Sequence, residues 1–62
     1  MTRQQLSNVL DASSMFSTKE IEKILQMVGK FTLGNAIIAC ELLDIELSGN
    51  DIDILISVAQ KR

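Results

Sequence analysis

Residues 31 to 47 read FTLGNAIIACELLDIEL, and the way this stretch winds decides how the rest of the chain must be arranged. Taken as an α-helix at about 100° per residue, residues 36 to 47 gather Ala36, Ala39, Cys40, Leu43 and Leu47 on one side and Ile38, Leu42 and Ile45 on another. Glu41 and Asp44 separate the two stripes along one edge, and Glu46 separates them along the other. A surface helix needs one apolar face. This one has two and is expected to be sandwiched. In a chain of 62 residues the other elements can cover one face, which leaves the second to another copy of the chain or to a partner protein.

Working outward, a signature for helix starts recurs along the chain. An apolar residue precedes a Ser or Thr, a polar residue follows at the third helical position and an apolar residue at the fourth, which is the capping box with its hydrophobic staple. It occurs as Met1-Thr2-Arg3-Gln4-Gln5-Leu6, as Phe16-Ser17-Thr18-Lys19-Glu20-Ile21 and as Leu47-Ser48-Gly49-Asn50-Asp51-Ile52, with a weaker version in Phe31-Thr32-Leu33-Gly34-Asn35-Ala36. Caps at Thr2, Ser17, Thr32 and Ser48 leave room for helices of average length joined by short connections. Their even spacing is compatible with an internal duplication and equally with four helices of similar size. The pattern predicts helices near 3 to 12, 18 to 29, 33 to 46 and 49 to 60.

The helix bodies support these starts. Ile21, Ile24, Leu25 and Val28 fall at i, i+3, i+4 and i+7 with Glu22, Lys23 and Gln26 opposite, a helix that Gly29 is expected to end. After Ser48, Ile52, Leu55, Ile56 and Ala59 repeat that spacing, while Ile54 and Val58 form an adjoining stripe that a single inward face does not need. The first helix offers only Leu6, Val9 and Leu10 before Asp11-Ala-Ser-Ser14 and is expected to be the weakest and to fray. No Pro is present, and alternating β-branched runs are few, which argues against a sheet. The expected fold is all-α: residues 1–62 as one small domain of four short helices in a compact bundle, completed by dimerisation or by a partner.

Composition bounds the function. A domain of this size buries only about 60% of its unfolded surface and needs extra support, yet Cys40 is the one cysteine, so no internal disulfide is possible. His is absent, which removes the commonest neutral-pH acid/base group and metal ligand. Association is the support that remains. The sequence holds no apolar run approaching the roughly 18 residues of a membrane span, and residues 1 to 14 lack the apolar segment of a signal peptide, so a soluble cytoplasmic protein is expected.

Charge is uneven. Residues 1 to 31 carry Arg3, Lys19, Lys23 and Lys30 against Asp11, Glu20 and Glu22, whereas residues 32 to 60 carry Glu41, Asp44, Glu46, Asp51 and Asp53 with no basic residue. The second half presents an acidic surface, either a solvated face or a dock for a basic partner.

Three stretches invite a more specific reading. Asp44-Ile-Glu46-Leu-Ser48-Gly49 resembles the opening of an EF-hand loop, with oxygen ligands at positions 1, 3 and 5 and Gly at 6. Position 8 is Asp51 where that family has an apolar residue, and position 12 is Leu55 where it has the bidentate Glu. The third and fourth helices have the order of a DNA-reading helix-turn-helix. Their acidic residues, Asp51 and Asp53 above all, would meet a phosphate backbone whose neutralisation supplies most of the affinity, and Arg3, Lys19, Lys23, Lys30, Lys61 and Arg62 are the available phosphate contacts. The run Ile24-Leu-Gln-Met27-Val-Gly29-Lys-Phe31 resembles the helix-loop segment of ubiquitin-associated domains, in which a Met-Gly-aromatic turn contacts ubiquitin. Val28 and Lys30 interrupt that turn, and the stretch from Ala36 to Asn50 exceeds the family's pattern. Met15, Phe16, Met27 and Phe31 are expected instead to fill the core and staple the helix starts.

Cys40 sits on an apolar face as a small inert hydrophobe. No carboxylates pair in an evident pocket, and no Gly-rich phosphate loop follows a strand. Catalytic residues, metal ligands and cofactors are therefore not expected, and the chain reads as non-enzymatic. The expected function is a small protein–protein interaction module, an adaptor, inhibitor or regulator, with Ile38, Leu42, Ile45, Ile54 and Val58 as partner-binding residues and a second copy or a larger protein as partner. A two-fold dimer through the third and fourth helices would cover that set. The alternative is a DNA-binding helix-turn-helix regulator, against which the charge map speaks.

Overall fold

The computed structural model describes residues 1–61. Four helices follow one another: α1 (Arg3–Ala12), α2 (Thr18–Met27), α3 (Leu33–Leu42) and α4 (Gly49–Gln60), with no strand among the described residues. Each helix packs on two neighbours, α1 against α2 and α4, α3 against α2 and α4, so the four close into a ring. The radius of gyration is 10.2 Å, close to the roughly 10.6 Å expected of a well-packed chain of this length.

The helices start where the caps predict. The side-chain oxygens of Thr2, Ser17, Thr32 and Ser48 accept from the amides of Gln5, Glu20, Asn35 and Asp51 at 3.1–3.3 Å. In three cases the box closes, because Gln5, Glu20 and Asp51 accept in return from the amides of Thr2, Ser17 and Ser48 at 2.8, 2.9 and 3.1 Å. At the fourth, Asn35 instead donates its side-chain amide to the Lys30 carbonyl at 3.0 Å, and the Thr32 amide donates to that same carbonyl at 2.8 Å. The start of α3 is thus pinned to the chain before it. Phe16, Phe31 and Leu47, each just ahead of its cap, pack against the core.

The helix ends depart from expectation at two places. Helix α2 stops at Met27, two residues before Gly29, because Val28 turns extended (φ −81°, ψ 118°) and tucks its side chain into the core. Gly29 adopts no positive φ. Helix α3 stops at Leu42 and not at 46, because Asp44 takes the left-handed conformation at φ 60°. The amides of Asp44 and Ile45 then donate back to the carbonyls of Glu41 (3.2 Å) and Cys40 (2.9 Å), which is the Schellman ending. Helix α1 ends in a related way, with Ser14 at φ 61°, its amide on the Asp11 carbonyl and the Ser13 hydroxyl on that of Leu10 at 2.7 Å.

The core is wholly apolar: among the described residues no polar or charged side chain is buried. Leu6, Leu10, Ile24 and Leu55 are its largest fully buried members. Helix α1, expected to be the weakest, therefore supplies two of the deepest anchors. Helix α3 contributes Ala36, Ala39 and Cys40, as its first stripe predicts, with Leu43 half-buried beside them. Helix α4 buries only Leu55, while Ile56, expected inward, is exposed and Val58, expected outward, is half-buried. The helix is centred on Leu55, so residues on both of its flanks are partly covered and neither flank is sealed. No helix among the described residues is long and apolar enough to cross a membrane.

Candidate interaction surface

Small residues on the inner face of α3 let it sit close to α2 and α4, and its large residues point away. Ile38 and Leu42 are 55% and 67% exposed, and Met27, near the end of α2, is 47% exposed. The three line one open groove between α2 and α3, about 470 Å³ in volume, with the buried Val28 and Ala39 beneath it and Lys30 and Asn35, hydrogen-bonded to each other, also in its lining. Met27, expected to fill the core, is instead part of this surface, because the chain leaves the helix one residue later. Phe31 and Met15 do pack on the core.

The five residues predicted to bind a partner do not share one surface. Ile38 and Leu42 lie together on the edge of α3 nearest α2. Val58 lies across the molecule on the α1 edge of α4, in a separate groove with Asn8, Val9 and Ala12. Ile54, one turn before Val58 on the same flank, is 38% exposed. Ile45 is not on α3: as the residue after the left-handed Asp44 it folds back onto the core. Helix α3 ends at Leu42, one turn before the 46 that the pattern predicts, so the stripe does not extend to Ile45.

The other candidate stretches resolve as local structure. Ser48 and Asp51 are spent on the cap of α4, and among the described residues no three His, Cys, Asp or Glu side chains converge as a metal site. Glu41, Asp44, Glu46 and Asp51 instead rim a wide cleft of about 850 Å³ at the α3–α4 turn. That turn occupies residues 43 to 48, longer than the three or four residues of a helix-turn-helix. Cys40 is 1% exposed. Burial pushes its thiol above the ordinary value, and the negative charge of Glu20 adds to the rise, so it stays protonated and unreactive at neutral pH.

Comparison with protein families, with curated proteins and with solved structures finds no match. The functional reading rests on the geometry.

Proposed function

We propose that this protein is a non-enzymatic, cytoplasmic interaction module of regulatory type that binds through the apolar surface of α2 and α3. The observation that supports this reading is the exposure of Met27, Ile38 and Leu42 side by side in one groove. Singly exposed apolar residues are ordinary on any surface, whereas a contiguous apolar strip rimmed by polar residues marks a contact. Covering what the three leave in water is worth roughly 3–5 kcal/mol per chain, a sizeable fraction of the stability of a small domain. The open grooves suit a docked helix face better than a small substrate, which enzymes bury in enclosed pockets.

The test compares wild type with Ile38→Ser/Leu42→Ser by affinity capture from the native cell extract, with and without nuclease. The expected outcome is a protein retained after nuclease treatment and lost in the double variant. Capture that depends on nucleic acid, or identical capture by both forms, would overturn the reading.

A further inference from the structure

We draw no further inference here: the strongest candidate, the open apolar groove between α2 and α3 lined by Met27, Ile38 and Leu42, belongs to the surface already described, and nothing in the structure shows what covers it.

Discussion

The two halves of the molecule follow the same backbone plan and distribute their bulk in opposite ways. Helices α1 and α3 both begin at a threonine cap, at 2 and 32, and both end at a left-handed residue, at 14 and 44. Leu6, Val9 and Leu10 stand where, thirty positions later, Ala36, Ala39 and Cys40 stand, and all six are buried. In the first hairpin large side chains point inward. In the second, Leu55 is the only large side chain fully buried, and Ile38, Leu42, Ile54 and Ile56 remain outside. A core this small has room for one set of large residues. Once α1 and α2 fill it, the second hairpin closes the ring with alanines and a cysteine, and its own bulk is left for other contacts.

The sharpest way to break this contrast is to remove matched core residues from the two hairpins. Leu10→Ala should cost about 2–5 kcal/mol through lost burial and the cavity left behind, whereas Cys40→Ala, at the equivalent position, should cost about 1 kcal/mol. Urea denaturation at constant m-value measures both, and equal losses would mean that the first hairpin does not dominate the core. The caps come next. Ser17→Ala and Ser48→Ala should each lower stability by roughly 1 kcal/mol, or about 4–8 °C in melting temperature for a domain of this size. Wild-type melting of both variants would refute the division into helices at these points.

Relief of the left-handed residues is a smaller effect of opposite sign. Ser14→Gly and Asp44→Gly should each raise stability by about 0.5 kcal/mol, because glycine adopts positive φ without steric cost. A loss at either site would show that its side chain holds the turn. The smallest expected effect belongs to the outer strip. Ile38→Ser should change the stability of the isolated chain by no more than about 0.5 kcal/mol, measured at a dilution where no association occurs, and a larger loss would place Ile38 in the chain's own core.

The helix starts were legible because they depend on side chains three residues apart, within reach of any local reading. The inner face of α3 was legible for the same reason. The ends were not. Gly29 permits a left-handed stop but does not demand one, and the buried Val28 took the chain out of the helix first. Asp44 tolerates a left-handed φ yet fits equally well inside a helix, so nothing local marked it as the terminus. From that one residue followed the misplacement of Ile45. The rotation of α4, which exposes Ile56 and half-covers Val58, is set by contacts with α1 and α3 that no single segment encodes. Met27 joined the outer groove for a similar reason, since its position depends on where α2 ends against α3.

Cys40 gives the fold a built-in clock. Its thiol lies at 1% exposure on the small-residue face of α3, and its raised pKa reflects burial first and Glu20 second. A reagent that alkylates thiolates can reach it only when α3 lifts from the core, so the labelling rate reports how often the second hairpin opens. The same linkage gives a pH dependence with a definite sign. Below the ordinary thiol value of 9.0 the group is neutral whether the chain is folded or not, and stability is unaffected. As pH rises past it, the unfolded chain releases a proton that the folded chain retains, so stability falls. In Cys40→Ser that alkaline decline should be absent, and labelling of the wild type should accelerate over the same range by more than thiolate formation in a free cysteine explains.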